Sequence, residues 1–381
     1  MSHKIRKSLL IALIVLGLTR FASVVPSGPV HADEVKPKVE DGLAWYDVRD
    51  WGVEGKGWEE TKRYFDRLPA KAEGVVRGAV WNLSRHSAGM CVRFRTDATT
   101  IHVRYTLYSD RLAMAHMPAT GVSGVDLYVQ DEAGHWWWLG VVRPSGKKIQ
   151  ATLAKGIDPG ERNYMAYLPL YNGVESLEIG VDPKAAFRPI PPRDEKPIVF
   201  YGTSITHGGC ASRPGMAYPA ILGRRLDRPV INLGFSGNGR MDPEVGDLLA
   251  ELDPAVYVID CLPNMAGDAV AQRTEPLVRK LRAARPDTPI VLVEDRTYTN
   301  APFIASKRQR HAASRAALKA AYKKLLAEGI GGLTYVPGDT LLGPDREDTV
   351  DSSHPTDLGM TRMADALEPI LRSLVEKDSG K

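Results

Sequence analysis

The hydrophobic period of this chain changes partway along. From Leu43 to roughly Val181 apolar residues alternate with polar ones: Val92 and Phe94 against Arg93 and Arg95, Ile101, Val103 and Tyr105 against His102 and Arg104, then Val125, Leu127 and Val129, and later Leu177, Ile179 and Val181. Successive strand residues point to opposite faces, so each run buries one face and wets the other. Gly, Asn and Asp separate the runs, which predicts an antiparallel, jelly-roll-like β-sandwich over residues 33–182. A Pro-rich connector at 183–196 follows. Beyond it, apolar strands at 197–201, 229–233, 255–260 and 289–293 alternate with helical stretches at 242–252, 269–284, 304–328 and 355–376. Wholly apolar strands separated by helices predict a three-layer α/β domain over 197–376, its parallel sheet covered on both faces.

Residues 1–32 lie ahead of this pattern and read as an export leader. Lys4, Arg6 and Lys7 precede the apolar run Leu9 to Leu18, and Val30-His31-Ala32 resembles a small-residue cleavage site before Asp33. The run is shorter than the ~20 residues a membrane span needs. The expectation is a secreted or periplasmic protein cleaved near Ala32, with no integral span in the mature chain; an uncleaved anchor is the alternative. The leader carries Lys4, Arg6, Lys7 and Arg20 and no acid. Removing those four from 50 basic residues leaves 46 against 46 acidic ones, a formal charge of zero. A neutral chain without a basic block offers nothing to nucleic acid or to an anionic membrane. The three cysteines are too few for a disulfide scaffold, and their odd number leaves one unpaired. Cys210 and Cys261 fall at the same sheet edge, so a bridge between them is one reading and buried free thiols the other, the second favoured by an ample core. No CxxC or Cys/His cluster suggests a metal, and no cofactor is implied. The sequence sets no oligomeric state.

The chemistry concentrates at the start and end of the second half. In Pro197-Ile198-Val199-Phe200-Tyr201-Gly202-Thr203-Ser204-Ile205-Thr206 an apolar strand ends in small polar residues, and Asp351-Ser352-Ser353-His354-Pro355 lies near the C-terminus. The C-terminal tip of a buried parallel strand is where such sheets present reactive groups, and a nearby Asp and His make a serine nucleophilic. An α/β-hydrolase elbow requires G-x-S-x-G, but Thr206 holds the fifth position. The chain instead resembles the SGNH (GDSL-like) hydrolase family, block by block in order over roughly 197–375. Gly202-Thr203-Ser204 matches the first block, with Thr203 where the motif usually has Asp. Asn232-Leu233-Gly234-Phe235-Ser236-Gly237-Asn238 matches the second, with Gly237 preferred to Gly234 as its glycine. Asp260-Cys261-Leu262-Pro263-Asn264 matches the third, and Asp351 to His354 the last. The resemblance implies Ser204 as nucleophile, His354 as base, Asp351 as the group orienting the imidazole, and an oxyanion hole from the Ser204 and Gly237 amides and the Asn264 side chain. Each residue also has a plainer reading: Ser204 or Asp351 as helix caps, the glycines as turn formers, Asn264 bonding its own backbone. Four blocks in the right order favour the chemical one.

Substrate contacts are expected from Arg296 and Tyr298, which follow a strand in Glu294-Asp295-Arg296-Thr297-Tyr298, and from His86 in the segment Trp81 to Met90 facing the second half. Of Trp136-Trp137-Trp138, only Trp136 and Trp138 share a strand face, one face being core and the other surface. A sandwich ahead of such a domain resembles the two-domain esterases of bacterial polysaccharide degradation and some acyltransferases. The expected function is an exported serine esterase removing a short acyl group, acetyl first among candidates, from a carbohydrate or similar oxygen ester, the substrate being a small-molecule or polysaccharide ester. The alternatives are an acyltransferase with the same triad and a non-catalytic carbohydrate-binding protein.

Overall fold

The computed structural model describes residues 35–379, so the expected export leader and the expected cleavage near Ala32 lie outside the described residues. Among the described residues no helix is long and apolar enough to cross a membrane.

The first half contains β1 (Lys38–Glu40), β2 (Leu43–Asp47), β3 (Cys91–Thr96), β4 (Thr100–Leu107), β5 (Asp126–Gln130), β6 (Trp136–Val141), β7 (Lys148–Lys155), β8 (Arg162–Tyr167), β9 (Val174–Val181) and β10 (Phe187–Ile190). They form two five-stranded antiparallel sheets, β1-β2-β9-β4-β7 and β10-β3-β8-β5-β6. β4 shows why: Ile101, Val103, Tyr105 and Leu107 are buried while their neighbours are half-exposed. Those side chains join Phe94, Leu127, Tyr164 and Ile179 in one core between the sheets. Two short helices, α1 (Gly78–Ser84) and α2 (Ala119–Val122), sit in the connections. The expected connector is not all linker. Its Phe187–Ile190 pairs with β3 and extends the sandwich, and Pro189 is tolerated because β10 is an edge strand.

The second half contains β11 (Ile198–Gly202), β12 (Val230–Gly234), β13 (Val256–Asp260), β14 (Ile290–Val293) and β15 (Leu333–Val336), paired in parallel in the order β12-β11-β13-β14-β15. Every residue of β11 to β14 is buried. Around them run α3 (Ser204–His207), α4 (Tyr218–Arg225), α5 (Pro243–Glu251), α6 (Gly267–Ala284), α7 (Ala305–Ala327) and α8 (Asp357–Ser379). Helices α5, α6 and α7 cover the face bearing Val199, Tyr201, Ile231 and Tyr257, and α4 and α8 cover the face bearing Ile198, Phe200 and Val258. Two elements escape the sequence pattern. β15 is an edge strand with Leu333, Thr334 and Tyr335 only half-buried, and α4 is short and begins with a Tyr-Pro pair.

The halves share apolar packing. Met117, Val122, Tyr128, Met165 and Tyr167 of the sandwich side form one buried cluster with Ala211, Ala217 and Ala220. All three cysteines are buried free thiols, so Cys210 and Cys261 are not bridged.

Candidate active site

In the sheet register Gly202 lies level with Gly234 on one side and with Asp260 on the other. The segments leaving β11, β12 and β13 therefore emerge side by side, where the chain crosses from one flank of β11 to the other. That crossover is where open parallel sheets form a crevice. Gly202 has no room for a side chain, since a Cβ there would run into Thr206 Oγ1 and the Asp260 carbonyl.

Ser204 opens α3, but Thr203 caps it, its hydroxyl accepting from the Ile205 amide at 3.3 Å. Ser204 is thus released from the capping role a serine here could have held. Its carbonyl accepts from the Gly208 and Gly209 amides at 3.1 and 2.7 Å and from the Tyr171 hydroxyl at 3.1 Å, which fixes the residue from behind. Ser204 Oγ lies 2.8 Å from His354 Nε2. His354 Nδ1 lies 2.8 Å from Asp351 Oδ2, and Asp351 Oδ1 accepts the amides of Ser353 at 3.0 Å and His354 at 2.8 Å. Asp351 closes its own turn rather than capping α8. Partial burial of the Asp351 carboxyl opposes its charge, but the His354 amide and imidazole outweigh that and hold it at about 2. An ionised carboxylate only accepts, so Nδ1 carries the proton of the neutral imidazole and Nε2 is left to accept from the Ser204 hydroxyl.

The turn bearing His354 is clamped by residues whose purpose the sequence did not reveal. Arg296 donates to the Ser353 carbonyl and hydroxyl, both at 2.8 Å, and Lys307 donates to Ser352 Oγ at 2.8 Å. This corrects the expectation for Arg296: it is 1% exposed, pairs with buried Asp295 at 2.5 Å, and gives its other nitrogens to Ser353. Its place after a strand was readable, but the direction of its side chain was set by the buried Asp295 carboxylate. Tyr298 is half-buried with its ring edge-on to His311 at 4.6 Å, beside a cavity separate from the one described below.

Gly237, after β12, has φ +68°, and nothing lies within 4 Å of where its Cβ would be. Among the described hydrogen bonds the amides of Ser204 and Gly237 donate to no protein atom, and neither does the Asn264 side chain, whose Oδ1 is buried without a partner. Gly234, by contrast, is closed in by the His207 backbone and serves packing.

A cavity of about 710 Å³ lies between the halves, lined by His86, Tyr108, Met114, Tyr171, Ser236 and Asn238 among others. It thus borders both flanks of Gly237. His86 lines it as expected of that segment, but its ring packs toward His207, with centroids 5.4 Å apart. Burial, with the cations Arg67 and Arg63 adding to it, pulls the His86 imidazole down to about 3, so it is neutral. Two residues from the sandwich side complete the surroundings. His116, exposed, has its ring 5.9 Å from that of His354. Arg67 is buried beneath α3 and donates to the carbonyls of Leu83, His86, Asn232 and Gly234 at 2.6–2.9 Å. Neither belongs to a periodic run, so no pattern marked them.

A family model described as the GDSL-like lipase/acylhydrolase family matches residues 195–372, and one for the N-terminus of SGNH-hydrolase-type esterases matches 43–187. A protein from Bacteroides ovatus whose crystal structure is described as a GDSL-like lipase is 32% identical, over 88% of this chain and 98% of that one, with a TM-score of 0.83. This chain belongs to the GDSL-like lipase/acylhydrolase family. Two further likenesses show a shared fold. A salicylyl-acyltransferase from a tetracycline biosynthetic pathway is 18% identical over 90% of this chain and 98% of its own, with a TM-score of 0.67. A family two carbohydrate esterase from Cellvibrio japonicus is 14% identical over 88% and 98%, with a TM-score of 0.58. No curated protein matches the chain.

Proposed function

We propose that this member of the family is an exported serine esterase that removes a short acyl group, acetyl first among candidates, from a carbohydrate or similar oxygen ester. The observation that carries the reading is the relay Ser204 Oγ to His354 Nε2 to Asp351, 2.8 Å at each step. As Ser204 attacks the acyl carbonyl, His354 takes its proton and Asp351 stabilises the resulting imidazolium. Negative charge then develops on the carbonyl oxygen, and the uncommitted donors of Ser204, Gly237 and Asn264 are the groups proposed to receive it. His354 returns the proton to the departing alcohol. Water, deprotonated by the same imidazole, attacks the acyl-enzyme, and the acid leaves with Ser204 restored. The carbohydrate part of the reading is supported by the sandwich domain and by the carbohydrate esterases that share the fold. The exported location rests on the leader at 1–32.

Acyl transfer to an alcohol is the second reading, favoured by the fold shared with the salicylyl-acyltransferase. It uses the same acyl-enzyme and differs in what attacks it. Turnover of p-nitrophenyl acetate by the purified protein and by Ser204→Ala tests the shared step: loss of at least ~10³-fold is expected, and retained turnover in the variant overturns it. Product analysis with and without a sugar acceptor separates hydrolysis from transfer.

A further inference from the structure

Tyr108 follows β4 directly and lines the 710 Å³ cavity, yet it is 49% exposed. An aromatic ring left half in water and still held rigid needs a reason. The guanidinium of Arg63 stacks 3.8 Å from the ring centroid, and that of Arg85 stands 5.9 Å away. Both cations are tethered to the buried carboxylate of Asp66, Arg63 at 3.0 Å and Arg85 at 2.7 Å. The backbone is fixed as well. The Tyr108 amide donates to the Gly173 carbonyl at 2.7 Å, and the buried Asn172 side chain bonds both the amide and the carbonyl of Ser109 at 3.0 and 2.9 Å. Ordering of this plate is complete before any ligand arrives, and such preorganisation raises affinity.

The rim around the plate is polar: Asn82 and Arg111 are exposed, and Ser109 and Asn238 stand beside them. A flat apolar surface edged by hydrogen-bonding groups suits a pyranose ring, whose C–H face is apolar and whose perimeter carries hydroxyls. The lining of the cavity adjoins the proposed reacting groups at two points of the chain. Ser236 and Asn238 flank Gly237, and the loop that starts at Tyr108 runs through Met114 to His116 beside His354. A short acyl group at Ser204 would leave most of that volume empty, so the larger partner, the alcohol, is the part that fills it.

We propose that Tyr108 is the stacking platform for the sugar ring of the alcohol portion, a specificity-determining residue contributed by the sandwich. This rests on the esterase reading. The test compares wild type with Tyr108→Ala, Tyr108→Leu and Tyr108→Phe on an O-acetylated methyl pyranoside, on ethyl acetate, which has no ring, and on ethyl benzoate, whose ring is on the acyl side. Relative to its effect on ethyl acetate, Tyr108→Ala should raise KM for the pyranoside ester about tenfold, a typical loss for one aromatic stack. Tyr108→Leu should behave similarly, and Tyr108→Phe should restore the wild-type KM. Equal effects on pyranoside ester and ethyl acetate overturn the proposal, as does an effect confined to ethyl benzoate. Calorimetric binding of the deacetylated methyl pyranoside to Ser204→Ala, with and without Tyr108→Ala, decides the platform without turnover. Binding lost with Tyr108 supports it even if the esterase reading fails, and no binding to either protein overturns it.

Discussion

Asp351 shows most clearly what single residues do here. It stands 46% exposed at its side chain, yet it accepts two amides and an imidazole proton, and these hold its carboxyl at about 2 against an ordinary 3.8. A carboxyl depressed in the fold adds stability above its unfolded value, near 4, that is lost as pH falls through about 2. Asp351 therefore stays ionised from pH 4 upward, and any acid limb of the activity in that range belongs to another group. Asp351→Asn can still accept the amides but presents an NH₂ group or a weaker acceptor to Nδ1. Turnover is expected to drop by ~10²–10⁴ with only a modest fall in melting temperature, since solvent screens the half-exposed carboxylate, checked by kinetics and thermal melts; retained turnover contradicts the orienting role. The convergence of Ser204, His354 and Asp351 was legible because a hydroxyl, an imidazole and a carboxylate in that order suggest a shared chemistry by their types alone. Arg296 was not. A sequence places it after β14 but cannot say that buried Asp295 turns its guanidinium inward, toward the Ser353 carbonyl.

At the scale of elements, two buried polar groups tie α3, which begins at Ser204, to its surroundings. Asp260, at the end of β13, accepts from Thr206 of α3 at 3.1 Å and from Tyr218 of α4 at 3.0 Å. Burial raises its pKa to about 7, against the opposing pull of Arg296 and the two hydroxyls. The folded protein therefore keeps a proton that the unfolded chain releases near 4, so stability falls as pH rises from about 4 to about 7 and levels off above. Asp260→Asn, which keeps an accepting oxygen, should flatten that slope in thermal melts between pH 4 and 8; an unchanged slope assigns it to another group. Arg67 binds four carbonyls from segments 83–86 and 232–234. Its burial pulls the guanidinium down to about 9, so it remains a cation at neutral pH. Arg67→Ala leaves those carbonyls unsatisfied and should cost roughly 3–5 kcal/mol in denaturant unfolding, and Arg67→Lys should not restore it, because one ammonium cannot reach four acceptors. A loss below ~1 kcal/mol would contradict this tie. The legibility of elements followed their burial. β11 to β14 are apolar throughout and stood out, whereas β15 and β10 are edge strands whose half-polar composition, Pro189 included, is compatible with a loop.

At the scale of the molecule, the two halves differ in architecture but meet over shared contacts. Beyond the apolar cluster around Met117 and Tyr167, buried Asp126 of β5 accepts from Arg213 and the Gly215 amide, and Arg77 of the sandwich side bonds Asp242 and Asn238. Calorimetry should accordingly show one cooperative transition for both halves, and two resolved transitions would contradict the coupling. Hydrophobic period revealed both architectures, because it reports which face of each element is buried. It could not reveal how the halves dock, because the docking residues His116 and Arg67 lie in irregular segments where no period exists. The central claim, that Ser204 is an activated nucleophile, is tested most directly by treating the protein with a fluorophosphonate and mapping the adduct by mass spectrometry. One equivalent on Ser204, greatly slowed in His354→Ala, is the expected result; a label on another residue, or none on an active preparation, would contradict the account.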